Sequence, residues 1–271
     1  MTNLLTFGSW GTSTLWRGLV VQKRVVTGVF LRETRTRFGR QKLGYLWAFL
    51  EPVLFIGTFY LAFRIGGKSM PVGMDIVTFI TTGLVPFQMF RSVVGRAMTA
   101  ASANQALLTY PQVRYLDLHL ARLLLEFVTF SVVFVVILGA HSMLFAPVIQ
   151  IADLLSVLQG MIACGLMGAG VGLVLSSATI LWPSMAQIQS ALMRPLFWVS
   201  GVFFTANDLP VVARDVLMWN PVLHGVELIR DGFFVAYSAE HLDSGYLISW
   251  VVGSLAAGLL AEKLTRQRLN Q

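Results

Sequence analysis

Charge is scarce in this chain. Asp, Glu, Lys and Arg make up 12% of its 271 residues, about half of what a soluble domain carries. Apolar residues make up 56% and mean hydropathy is +0.71, more apolar surface than a folded domain hides from water. No polar stretch is long enough to form a separate soluble domain, so one membrane domain is expected. Residues 1–10 lack a basic stretch ahead of an apolar core. A cleaved signal peptide is therefore not expected, and the first span is expected to act as its own insertion signal. A single cysteine, Cys164, excludes an intramolecular disulfide. Its apolar setting marks it as a small packing residue.

Catalytic and nucleotide-binding signatures are missing as well. Gly67-Lys68-Ser69 looks like the end of a phosphate-binding loop, but the first glycine of that pattern would be at position 62, which is Ala62. The tripeptide also follows a membrane span instead of joining strand to helix. If ATP drives this protein, a partner chain binds it. His119, His141, His224 and His241 are far apart and have no cysteine or H-E-x-x-H company, so no metal site is expected. There is no G-x-S-x-G elbow, and no cluster of polar catalytic groups lies inside the apolar stretches.

What the chain does have is long apolar runs. A helix needs roughly 20 apolar residues to cross the hydrocarbon core, and six stretches qualify: 44–63, 76–94, 118–140, 154–181, 186–205 and 245–261. In lipid each must satisfy its own backbone, which requires helices. Arg17, Lys23, Arg24, Arg32, Arg35, Arg37, Arg40 and Lys42 precede the first span. Arg91, Arg96, Arg114 and Arg122 flank the second and third, Arg194 opens the fifth, and Lys263, Arg266 and Arg268 follow the last. On the other side are only Arg64, Lys68, Arg214 and Arg230. The bias places both termini in the cytoplasm, and six spans agree with that parity. The basic excess, +7 net, is thus a topology and headgroup signal and gives no reason to expect nucleic acid.

Residues 15–30 are amphipathic at helical period. Leu15, Leu19, Val26, Val29 and Phe30 share one face, and Arg17, Arg24 and Arg32 fall on the other. The expectation is a helix lying in the inner-leaflet interface. The stretch 207–243 mixes acids with short apolar runs and is punctuated by Pro210 and Pro221. Two half-helices dipping back into the outer leaflet are expected there, because irregular backbone at that depth needs surrounding protein or a water-filled cavity. Gly160, Cys164, Gly168, Gly172 and Ser176 recur every four residues, a ridge for close helix packing. Glu51-Pro52 sits two turns into the first span. A charge at the bilayer centre costs roughly 2.5–3.5 kcal/mol and proline removes a helix hydrogen bond, so a bent helix beside a hydrophilic space is expected. Glu126 in the third span is similar, unless it pairs with a nearby arginine. Tyr45, Trp47, Trp182, Trp198, Trp219, Tyr246 and Trp250 fall near span ends and read as interface anchors; any on a pore would also stack on sugars.

Four motifs in order carry a resemblance: Leu31 to Gly39 followed by Leu43 to Pro52, Gly83-Leu84-Val85-Pro86-Phe87, Ala103 to Pro111 with Val113 to Arg122, and Trp219 to His224 with Glu227 and Arg230. The chain resembles ABC-2 type polysaccharide export permeases, closest to the branch that exports group 2 capsular polysaccharide. The resemblance implies an all-α polytopic membrane protein with one transmembrane domain over 1–271. Its parts would be a cytosolic interface helix (1–42), spans 1–5 (43–206), a re-entrant segment (207–243), and the last span with its tail (244–271). It implies a homodimer with two separate ABC ATPase subunits, which bind the ATP and Mg, and no enzyme activity in this chain. The cargo implied is a lipid-linked anionic polysaccharide, with a periplasmic co-polymerase-type adaptor and an outer-membrane export channel as further partners. On this reading Arg32, Arg35, Arg37, Arg40 and Lys42 form the headgroup entrance. Tyr45, Trp47, Glu51, Pro52 and Trp198 are pore or gate candidates. Asn104, Gln105, Leu108, Tyr110, Pro111 and Arg114 meet the ATPase, and Trp219, Asn220, Pro221, His224, Glu227 and Arg230 form the re-entrant segment. Export of O-antigen, teichoic acid or a small hydrophobic compound on the same fold is the nearest alternative, and an intramembrane enzyme a more distant one.

Overall fold

A computed structural model describes residues 12–38, 44–67, 70, 73–145 and 149–269, and among them there is no strand. The long helices are α1 (Thr12–Phe38), α2 (Gly44–Ile65), α3 (Ile76–Met98), α5 (Tyr115–Leu144), α6 (Leu154–Leu181), α7 (Met185–Val199) and α10 (Ser244–Leu269). Shorter ones are α4 (Ala100–Ala103), α8 (Val211–Leu217) and α9 (Pro221–Phe233). Four are long and apolar enough to cross a membrane: α3, α5, α6, and α10 over Ser244–Thr265. The protein is thus a multi-pass helical membrane protein. The 22 residues of α2 have the length for another crossing.

Capping chemistry sets several helix starts. Asp75 accepts the amides of Val77 and Thr78, Asp153 those of Leu155 and Ser156, and Asn220 that of Val222 ahead of Pro221 at the first helical turn. Those hydrogen bonds, with the Ser156 hydroxyl first among them, hold the Asp153 carboxyl below its ordinary range. The core lies where α3 and α6 meet and α9 packs against both; Phe79, Leu84, Phe87, Met89, Cys164, Met167 and Ile229 are buried in it. The small-residue ridge of α6 serves two neighbours. A side chain at Gly160 would run into Ile229 and the Gly225 carbonyl of α9, and one at Gly168 or Gly172 into Phe90, Val94 or Ala97 of α3.

On the far face of α6, a Cβ at Gly170 would lie 2.5 Å from the Ser254 backbone of α10. Gly170→Val is therefore expected to push α6 and α10 apart and cost about 1–3 kcal/mol, the usual penalty of overpacking. A lower melting temperature in detergent would show it, and an unchanged one would place α10 elsewhere.

The expected fifth span, 186–205, is not continuous. Helix α7 stops at Val199 after 15 residues, and Gly201 turns the chain at φ 75°, a conformation glycine adopts without steric cost. The carbonyls of Val202 and Phe204 after the turn are taken by the buried Arg230. The segment 207–243 does form two helices, α8 and α9, as expected. α9 is no surface element, with residues 222–227, 229–230 and 232–233 buried.

Candidate functional site

Helix α1 extends to Phe38, further than the amphipathic stretch suggests. Its second half packs. Val26 and Val29 are buried against Ala100, Leu118 and Ala121, with Leu107, Leu108 and Val113 alongside. Trp16 and Leu19 in the first half are exposed, which suits contact with lipid.

From that contact a polar relay runs into the helical core. Arg32 Nη1 donates to Asn104 Oδ1 at 2.9 Å. Asn104 Nδ2 donates to Glu33 Oε1 at 2.8 Å and to the Ala100 carbonyl at 3.1 Å. Arg122 grips the same Glu33 oxygen through Nε and Nη2 at 3.0 and 2.9 Å. Its Nη1 donates to the Arg96 carbonyl at 2.6 Å and the Thr99 hydroxyl at 3.1 Å. Arg96 in turn pairs with the fully buried Glu126 at 2.6 Å, and Ser92 donates to Glu126 at 2.7 Å. Gln22 adds a bond to Asp117, which caps α5. The relay thus joins α1, the 99–114 segment, the start of α5 and the middle of α3.

Ser92 and Arg96 also line a polar cavity of about 380 Å³ between α2, α3, α5 and α7. Glu51 and Pro52 come to it from α2, Gln88 and Arg91 from α3, Thr129 from α5 and Gln189 from α7. The hydrophilic space expected beside Glu51-Pro52 is there, and Glu51 and Arg91 are exposed to it. Such groups can hydrogen-bond sugar hydroxyls or pair with an anion.

Burial pushes the Glu33 carboxyl up, but hydrogen bonds from Asn104 and Arg122 and the charges of Arg122 and Arg96 outweigh it and hold the group below its ordinary 4.5. A depressed carboxyl stabilises the fold fully above its unfolded value, and that contribution is lost as pH falls through the folded value. Hydrogen exchange over 24–35, corrected for intrinsic rate, is therefore expected to quicken once pH drops below about 4.5. Protection that is flat with pH would remove Glu33 from the relay.

The other expected residues divide. Arg35 is exposed on α1, while Arg40 and Lys42 and the side chains of Arg37 and Tyr45 lie outside the described residues. Trp47 and Trp198 are 63% and 57% exposed. Trp198 edges an aromatic cluster of Phe55 and Phe59 with Phe197 and Phe203, ring centroids 4.2–6.3 Å apart. Gln105, Tyr110, Pro111 and Arg114 are exposed and Leu108 is partly covered, whereas Asn104 is buried. Arg32, expected to await a headgroup, already holds Asn104.

Glu227 and Arg230 lie in the interior. Both are fully buried and 3.5 Å apart. Arg230 donates to the Phe204 carbonyl at 2.6 Å and, more loosely, to those of Val202 and Phe79, with its guanidinium 4.1 Å above the Phe79 ring. Glu227 accepts from the Ala206 amide and the Tyr237 hydroxyl. Burial and then the Glu227 charge push that phenol well above its ordinary value. The Val202 and Phe204 carbonyls lie in the irregular segment that follows the end of α7 at Val199. Asn220 helps by donating to the Val199 carbonyl and the Ser200 hydroxyl. His224, also buried, bonds the Met218 carbonyl and the Asp243 amide, while Trp219 is 77% exposed.

In the sequence Arg91 has only a topology role, and Gln88, Ser92, Thr129 and Gln189 belong to no motif. A polar stripe at i, i+3, i+4 and i+8 within α3 (Gln88, Arg91, Ser92, Arg96) was the available signal.

The described residues form a multi-pass helical bundle in which a polar relay joins an exposed loop to a polar cavity. The chain belongs to the ABC-2 type transporter family, whose model matches residues 25–234. It is similar to the polysialic acid transport protein KpsM of Escherichia coli, at 33% identity over 89% of this chain and 93% of the relative. It is also similar to the capsule polysaccharide export inner-membrane protein CtrC of Neisseria meningitidis serogroup B, at 30% over 87% and 89%. BexB of Haemophilus influenzae, which carries the same description, is 29% identical over 93% and 94%.

Proposed function

We propose that this chain is the permease subunit of an ATP-driven exporter that moves lipid-linked capsular polysaccharide from the cytoplasm across the bacterial inner membrane. The observation that carries this is similarity to capsule and polysialic acid export proteins over about nine-tenths of the chain. The working unit is a homodimer with two ABC ATPase subunits, which bind ATP and Mg. Each chain crosses the membrane six times, α2 and the short α7 included, with both termini in the cytoplasm and α8 and α9 re-entrant from the periplasmic side. A periplasmic adaptor and an outer-membrane channel complete the route.

The polar relay supports a mechanism. The ATPase bears on Gln105, Leu108, Tyr110, Pro111 and Arg114. Movement of that segment drags Asn104, hence Arg32 and Glu33 on α1, and through Arg122 and Arg96 the wall of the cavity. Arg35, Arg37, Arg40 and Lys42 draw the anionic headgroup to the entrance, and Glu51, Gln88, Arg91 and Gln189 meet the glycan within. Affinity must differ between the two states for ATP to drive net movement.

Affinity purification of the tagged chain from its native membrane tests the assembly. An ATPase at about one copy per permease is expected; recovery of the chain alone under mild conditions would contradict the reading.

A further inference from the structure

At the opposite end of α5 from Arg122, about 28 Å away along the helix at 1.5 Å per residue, lies a second cavity unconnected with the relay. It measures about 620 Å³, within the range that holds a drug-sized ligand. Ile56, Ile137 and Ala140 make its floor apolar, while Tyr60, Asp75 and His141 form its polar end, and among the described residues no Lys or Arg lines it. Asp75 is the N-cap of α3, its Oδ2 accepting the amides of Val77 and Thr78 at 2.9 and 3.3 Å. The same oxygen lies 2.9 Å from His141 Nε2. That nitrogen is buried and not aligned for a hydrogen bond, and Phe145 stacks on the ring at 5.9 Å. The Asp75 side chain stays 49% exposed. A polar cluster this elaborate is not needed to cap a helix, which Asp75 does alone.

We infer that this groove binds one phospholipid with an ammonium-bearing headgroup. One acyl chain lies on the Ile56–Ile137–Ala140 floor, the ammonium pairs with the Asp75 carboxylate, and the phosphate accepts from the Tyr60 hydroxyl. His141 is a positioning residue that braces Asp75 from behind. The occupant follows from charge. Among the described lining residues the Asp75 carboxylate is half exposed at the mouth and no Lys or Arg stands beside it, so a cationic headgroup finds a partner there and an anionic one meets repulsion.

Two substitutions separate tail from head. A Cβ at Gly57, also on the lining, meets no atom within 4 Å, so Gly57→Phe starts from open space and projects its ring into the groove. Asp75→Asn removes the charge but keeps a good helix cap. The chain, purified in mild detergent and offered equimolar phosphatidylethanolamine and phosphatidylglycerol, is read by native mass spectrometry. One retained phosphatidylethanolamine per chain is expected in the native sequence. Gly57→Phe should lose it, and Asp75→Asn should retain a lipid with about fivefold less headgroup preference, as for one half-exposed charge pair. Retention and preference unchanged in both variants would overturn the proposal. So would preferential retention of phosphatidylglycerol, or dissociation of a dimer in Gly57→Phe, which would mean that a second copy fills the groove. If Gly57→Phe does not fold, the headgroup preference of Asp75→Asn still decides.

Discussion

Arg230→Met is expected to cost about 3–5 kcal/mol, enough to remove most of the folded protein, because it strands a buried carboxylate. Glu227 is fully buried and loses its only cationic partner among the described residues. The carbonyls of Phe204 and Val202 lose their donor at the same time, each at about 1–3 kcal/mol when buried and unpaired. The double change Arg230→Met with Glu227→Leu removes both charges and is expected to be milder than Arg230→Met alone, since replacing a whole buried pair is often near neutral. Melting in detergent, followed by size exclusion, compares the three proteins. A single variant as stable as the double would mean that Glu227 is not held charged by Arg230.

Breaking the relay is expected to act differently, on export more than on folding. Asn104→Ala removes the link between Arg32, Glu33 and the loop, yet leaves the Glu33–Arg122 pair intact. Export should fall at least tenfold while the partner ATPase keeps hydrolysing ATP. Contiguity alone does not establish coupling, so the decisive form is a double-mutant cycle of Asn104→Ala with Glu126→Gln at the far end. Residues on one network couple by about 0.5–3 kcal/mol, and simple additivity of the two effects on export would break the relay into unrelated parts.

Much of this was legible in the sequence for physical reasons. Apolar runs the length of a bilayer gave α3, α5, α6 and α10, since lipid tolerates little else. The ridge from Gly160 to Ser176 announced close packing, and the structure puts α9 and α3 on it. Glu51 and Pro52 announced a hydrophilic space, which is the polar cavity. Three things were hidden. The irregular segment after α7 turns at Gly201 and has its carbonyls taken by Arg230, 31 residues beyond Val199, and no local pattern reveals that a distant guanidinium will take them. Glu33 and Arg122 are 89 residues apart, so their pairing could not be read from spacing. Arg32 looked like any other arginine in a basic run until Asn104 was placed beside it.

The most direct test of the account is transport itself. The purified chain, reconstituted with its co-purifying ATPase in liposomes, is offered a lipid-linked anionic capsular glycan on the ATPase side. The account predicts ATP-dependent appearance of glycan on the far side, lost in Asn104→Ala without loss of hydrolysis. Glycan that crosses equally without ATP, or does not cross while the complex hydrolyses ATP normally, would contradict it.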